Sequence, residues 1–163
     1  MVFRSALVDY LKEEDSINCL VGDRIFDRFY RFEDFLNKSG NKSKFPAITV
    51  EEEGWENENN IDKHDNIINA SYRITIYDEI NIQRHRARSK KVKNKAINEL
   101  RTDLDDTADA VIVFINDKRG VTVGDFYLRA AHIVDVGDDI FQSDDNREIP
   151  ITEIALNVIY SKI

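Results

Sequence analysis

Three stretches of this chain alternate apolar and polar side chains with a period of two, and that pattern limits the fold more than any other feature. In 47–53, Ile48 and Val50 fall on one side and Thr49 and Glu51 on the other. In 69–78, Tyr72, Ile74 and Ile76 oppose Arg73, Thr75 and Tyr77, and in 152–160, Ile154, Leu156, Val158 and Tyr160 oppose Glu153, Ala155 and Asn157. Successive side chains of a strand point to opposite faces, so each stretch reads as a half-buried β-strand. The first two are expected to pair across a polar connection, 54–66, which is rich in Asn, Glu and Asp and long enough to form a mobile loop. The stretch 122–136 reads as a further strand. Its apolar set changes parity at Gly124-Asp125, as a bulge would cause, and Phe126, Leu128, Ala130, Val134 and Val136 then share one parity. The β-branched run 110–115 reads as another strand, although Ala108, Val111, Ile112 and Ile115 also fit a helix.

Helical spacing appears twice at length. Phe3, Ala6, Leu7, Tyr10 and Leu11 make an amphipathic opening helix over 2–14, and Val92, Ala96, Leu100 and Leu104 step by four along a second helix over 84–104. Between them, Ser16 is placed to cap a short helix through Leu20 that Gly22 ends. In 24–35 aromatics and charges crowd together without either period winning, and 37–44 reads as an exposed loop. The expected fold is therefore α+β: a mainly antiparallel sheet with the two principal helices on one face, in a single domain over 1–163.

With 42% apolar and 33% charged residues, the chain is too hydrophobic for disorder and too evenly mixed for a bilayer protein. No window holds the roughly 18 uncharged apolar residues of a membrane span, and the start lacks the order of a signal peptide, so a cytoplasmic location is expected. Cys19 is the one cysteine and forms no internal disulfide. Its neighbours Ile17, Leu20 and Val21 suggest a buried small hydrophobe.

The net charge of −8 argues against general nucleic-acid affinity. The charge is unevenly spread, however. Arg84, Arg86, Arg88, Lys90, Lys91, Lys93 and Lys95 fall within 84–95 without an acid among them. That stretch reads either as the solvated side of a helix or as a contact for an acidic surface, and in a ring the same chain supplies both signs. Arg24, Arg28 and Arg31, interleaved with Phe26, Phe29, Tyr30 and Phe32, read as arginine stems packed on aromatics at a core edge or subunit contact. The alternative is a stacking surface for single-stranded nucleic acid.

No phosphate-binding loop, nucleophile elbow or zinc-protease string occurs. His64 sits between Asp62 and Asp65 and near Glu51-Glu52-Glu53, but adjacent acids on a strand point apart, and such a loop is ordinary solvated sequence. His85 and His132 have no companions at ligand spacing. No catalytic residue, metal site or cofactor is expected.

An opening helix, then Val21-Gly22-Asp23-Arg24-Ile25-Phe26, then Phe45-Pro46-Ala47-Ile48-Thr49-Val50, then Tyr72-Arg73-Ile74-Thr75-Ile76-Tyr77, a helix and two closing strands make an order that resembles the tail-completion or tail-terminator family of long-tailed bacteriophages. The resemblance spans most of the chain in element order. The long acidic connection after Gly54 and the insertion-like 28–44 depart from the pattern, which keeps a neighbouring neck or head-completion role open. The resemblance implies a non-enzymatic homo-oligomeric ring, typically a hexamer, built into the virion during assembly in the host cytoplasm. Such a ring caps the tail tube and meets the head connector while DNA passes through without specific binding. On that reading Arg84, Arg86, Arg88, Lys90, Lys91, Lys95, Arg24 and Arg28 are the expected subunit or partner contacts. Glu51, Glu52, Glu53, Glu56 and Glu58 are expected to form an acidic bore or loop surface, and the 54–66 loop to order on contact with tube or connector. A small nucleic-acid-binding module using 84–95 and a hydrolase around His64 are the rival classes.

Overall fold

The first helix, α1 (Phe3–Lys12), buries Phe3, Ala6, Leu7, Val8 and Leu11 and turns Asp9 to solvent. This is the spacing that gives one apolar stripe on a 3.6-residue period. The computed structural model that shows it describes residues 2–27, 46–58, 67–77, 104–142 and 148–163. A second helix, α2 (Asp15–Val21), follows at once and buries Ile17 and Val21. Ser16 lies inside α2 rather than capping it. Glu14 occupies the cap position, and the Ser16 hydroxyl donates to the Glu14 carboxylate at 3.0 Å. Gly22 ends the helix at φ +58°, ψ −134°, a conformation that side chains with a Cβ rarely adopt.

Six strands follow among the described residues: β1 (Ile25–Phe26), β2 (Ala47–Glu58), β3 (Ile67–Tyr77), β4 (Val121–Val123), β5 (Phe126–Gln142) and β6 (Glu148–Lys162), in the sheet order β1-β2-β3-β6-β5-β4. The β1–β2 pairing is parallel and the other four are antiparallel, so the α+β expectation holds with a mixed sheet. Strands β3 and β6 stand at the centre and pair along the whole length of β3, from Ile67 opposite Ser161 to Tyr77 opposite Ile151.

A third helix, α3, covers 104–115 among the described residues, and it corrects the strand expected over 110–115. Leu104, Thr107, Ala108, Val111 and Ile115 are buried, while Val113, at 82% exposure, faces solvent. Spacings of three and four won over β-branched composition because burial on one stripe outweighs the few tenths of a kcal/mol by which Val and Ile disfavour a helix. The helix ends at Asn116-Asp117, and Asp117 takes a left-handed φ of +56°. Of the helix expected over 84–104, only Leu104 lies among the described residues.

One hydrophobic cluster joins α1, α2, α3 and one face of the sheet through Ile48, Val50, Tyr72, Ile74, Ile76, Leu128, Ile154, Leu156 and Val158. Phe3 anchors α1 there: it stacks on Tyr160 and meets Phe126 edge-on at 5.5 Å. Tyr10 and Phe114, with centroids 5.0 Å apart, tie α1 to α3. On the opposite, outer face, Ala47, Thr49, Thr75, Tyr77 and Ile151 are also buried, so that end of the sheet is covered on both sides.

Two further expectations change. Gly124-Asp125 is not a bulge but the two-residue turn of the β4–β5 hairpin, with Val123 directly opposite Phe126 and Gly124 at φ +57°. Glycine at the first central position suits such a turn. The bulges lie instead between Leu128 and Ala130 and between Ile133 and Asp135. Each inserts one residue, so Ala131 replaces Ala130 on the core face, and Val134 is the extra residue of the second bulge. Likewise 54–58 belongs not to a mobile loop but to β2, which continues past a bulge at Glu53 and pairs Gly54 with Ser71 through to Glu58 with Ile67. The rest of that connection, 59–66, lies outside the described residues, as do 28–45.

Candidate functional site

Two features of the sheet stand apart from the core: an acidic outer face and a long exposed strand. The acidic face centres on Arg73, which lies directly opposite Glu51 on β2 and opposite Ala155 on β6. Its guanidinium forms a salt bridge with Glu53 and lies 3.9 Å from the Glu153 carboxylate. One arginine thus faces three carboxylates, and Asp135 and Asp139 extend the same face across β5, opposite Ala155 and Ile151. The Ser71 hydroxyl, which donates to Asn157 Oδ1 at 2.9 Å, completes the polar surface.

Glu52 does not belong to that surface. It pairs with Tyr72 on the helix-covered face, and its carboxylate accepts the Tyr72 hydroxyl at 3.4 Å. The three consecutive glutamates therefore cannot line one bore together, because strand neighbours point to opposite faces: Glu51 and Glu53 share the Arg73 side and Glu52 lies on the other. Burial, reinforced by the nearby Tyr160 and the Glu52 charge, raises the Tyr72 phenol well above its ordinary pKa, so it stays a neutral donor. Glu56 and Glu58 lie on the far part of β2, opposite Asn69 and Ile67.

The exposed strand is the distal half of β5. At 17 residues β5 is about three times the usual strand length. Its outer edge is closed in steps: β4 pairs with 126–128, the Ala131 N–H donates to the Lys118 carbonyl at 2.9 Å, and the Ile133 N–H donates to Asn116 Oδ1 at 3.2 Å. Beyond Ile133 no described strand pairs with that edge. Residues 134–140 are all exposed, including Val134 at 57%, Val136 at 43% and Ile140 at 59%. Asp135, Asp138 and Asp139 alternate with them. Asp138 accepts the Thr152 hydroxyl at 2.8 Å, and Asp139 accepts the Ile140 N–H at 2.7 Å. The sequence signal for this arm was present in Val134-Asp135-Val136-Gly137-Asp138-Asp139-Ile140. Reading Val134 and Val136 in one parity with Phe126 and Leu128 hid it.

The expected basic contacts are placed only in part. Arg24 is part of the fold's stitching: its Nε donates to the Pro46 carbonyl at 2.9 Å, and its own carbonyl accepts the Ile48 N–H at 2.9 Å, which docks β1 on β2. Arg28, Arg84, Arg86, Arg88, Lys90, Lys91 and Lys95 lie outside the described residues, as do His64 and His85. His132 is exposed, with Nδ1 3.6 Å from Asp117. Cys19 is exposed rather than buried, its thiol facing the Ser16 carbonyl at 3.4 Å, because α2 turns only Ile17 and Val21 inward. Among the described residues no group of three or more His, Cys, Asp or Glu side chains is gathered to hold a metal, and no helix is long and apolar enough to cross a membrane.

No protein-family model matches the chain, and no curated protein matches it. Among solved structures, a chain of the "Virion of native gene transfer agent (GTA) particle" is similar to it, with a TM-score of 0.58 and 9% sequence identity. The likeness covers 97% of this chain and 93% of that one. At that identity the two share a fold.

Proposed function

We propose that this protein is a structural component of a tailed phage or phage-like virion, where it caps the tail tube as an oligomeric ring and joins the tail to the head connector. The observation that carries the reading is the fold shared along nearly the whole chain with a virion chain of a gene transfer agent particle. The sequence resemblance to tail-completion proteins points the same way from different material, the Gly22-Asp23-Arg24-Ile25 and Pro46-Ala47-Ile48-Thr49-Val50 strings. In this role the protein acts without catalysis, by shape and charge complementarity.

The outer sheet face supplies a physical reason for DNA to pass unbound. Glu51, Glu53, Glu153, Asp135 and Asp139 share that face with Arg73 among the described residues, and a surface of like sign to phosphate repels the polyanion instead of trapping it. With Glu52 on the other face, Glu153, Asp135 and Asp139 take its place in the expected bore surface. The reading is tested by adding the purified protein to uncapped tail tubes from particles that lack it. Rings at one tube end and restored head joining are the expected outcome. Tubes that stay bare, with protein that shifts DNA in a salt-dependent manner, would favour the nucleic-acid-binding alternative.

A further inference from the structure

We infer that the open distal edge of β5 is a subunit contact, and that its occupant is the basic stretch 84–95 of a second copy of this chain. The inference rests on the ring reading above and names the surface that would close the ring.

An unpaired strand edge of this length is a template for further pairing, and proteins that remain monomeric usually blunt such edges or cover them. Among the described residues the edge is closed only as far as Ile133, by β4, Lys118 and Asn116. From Val134 to Ile140 it presents three large apolar side chains together with Asp135, Asp138 and Asp139. Exposed apolar groups interleaved with charges of one sign suit a contact that is part buried and part electrostatically steered.

Charge then selects the occupant. Among the described residues the sheet's opposite edge also opens, since β1 covers only Ile48 and Thr49 of β2. A head-to-tail ring built by pairing that edge with β5 would set Glu51, Glu52, Glu53, Glu56 and Glu58 against three aspartates, and like charges across strands are destabilising. The complementary sign is concentrated in 84–95, with seven basic residues and no acid. A contact between two different patches of the same chain is heterologous, the kind that closes into a ring. The β2 acids are the weaker competitors for that stretch, because Glu53 is bridged to Arg73, Glu51 lies opposite the same arginine, and Glu52 accepts the Tyr72 hydroxyl.

The test uses two charge-reversed full-length variants, Asp135→Lys/Asp139→Lys and Arg86→Glu/Arg88→Glu/Lys90→Glu/Lys91→Glu, with oligomeric state read by native mass spectrometry. Each variant alone sets like charges against each other and is expected to lose the oligomer. An equimolar mixture is expected to regain it, because one interface is then wild type and the other has both signs exchanged. Rescue only when both sets are combined in one chain would show a contact within the subunit and overturn the inference. So would variants that assemble like wild type; in that case the ring reading would survive while this contact would not. A wild-type protein that never assembles, even with tail tubes, removes both. Carbodiimide cross-linking of mixed isotopically light and heavy wild-type protein gives a second readout that does not depend on variant folding. Mixed-mass links between the β5 aspartates and Lys90, Lys91, Lys93 or Lys95 are expected, and links of unmixed mass alone would contradict the proposal.

Discussion

Phe3 stacks face to face on Tyr160, with ring centroids 4.0 Å apart and planes inclined by 8°, so the first turn of the chain is fixed against the last strand of the sheet. Tyr72 and Phe126 close the same cluster. Burying an aromatic of this size and then removing it typically costs about 3–5 kcal/mol. Phe3→Ala is therefore expected to lower the unfolding free energy by roughly that amount, measured by urea denaturation. Val113→Ala, on the solvent side of α3, should shift it by no more than about 0.5 kcal/mol.

Alkaline pH should destabilise the fold through the buried tyrosines. Tyr72, Tyr77 and Tyr160 all have raised pKa values, chiefly because burial disfavours the charged phenolate. A group that holds its proton more tightly when folded contributes stability that is whole below its unfolded pKa, here 10.0, and is lost as pH rises beyond it. Unfolding free energy is expected to fall above that pH, and Tyr72→Phe should flatten the decline. An unchanged slope in the variant would remove Tyr72 from the account.

Arg73 is worth little to stability and more to charge. Its two carboxylate partners are more than a third exposed, so Arg73→Gln should cost about 0.2–1 kcal/mol, less at high salt. The variant removes the cation that faces Glu51, Glu53 and Glu153. Head joining that persists in Arg73→Gln fits a face whose task is to repel DNA, whereas loss of joining in a folded variant would make Arg73 a contact residue.

Cys19 should react with a thiol reagent in the native protein, without denaturant, because α2 leaves it at the surface. Modification that waits for global unfolding would mean that it is covered.

Much of the sheet was legible because burial on one face imposes a strict period. Ile74, Ile76, Ile154, Leu156 and Val158 were all read onto the core face from sequence and are buried there. The misreadings occurred where one residue is inserted or where composition competes with period. Two bulges shift the parity of β5, so a single alternation could not be carried from Phe126 to Val136. Gly54 looked like the end of β2, yet the strand resumes beyond a bulge at Glu53. The run 110–115 has strand composition, but only the wider spacing from Leu104 to Ile115 reveals the helix. The acidic face was half visible: Glu51 and Glu53 were named, but Glu153, Asp135 and Asp139 join them only through pairing across β3, β6 and β5. The open edge could not be read, because which strand lies outermost is a property of topology and not of local pattern.

The central claim, that the protein acts as a closed ring, is tested most directly by its native mass across a concentration series, with and without tail tubes. A discrete oligomer of fixed subunit number, formed alone or on tubes, is the predicted result. A monomer at every concentration that ignores tail tubes would contradict the account.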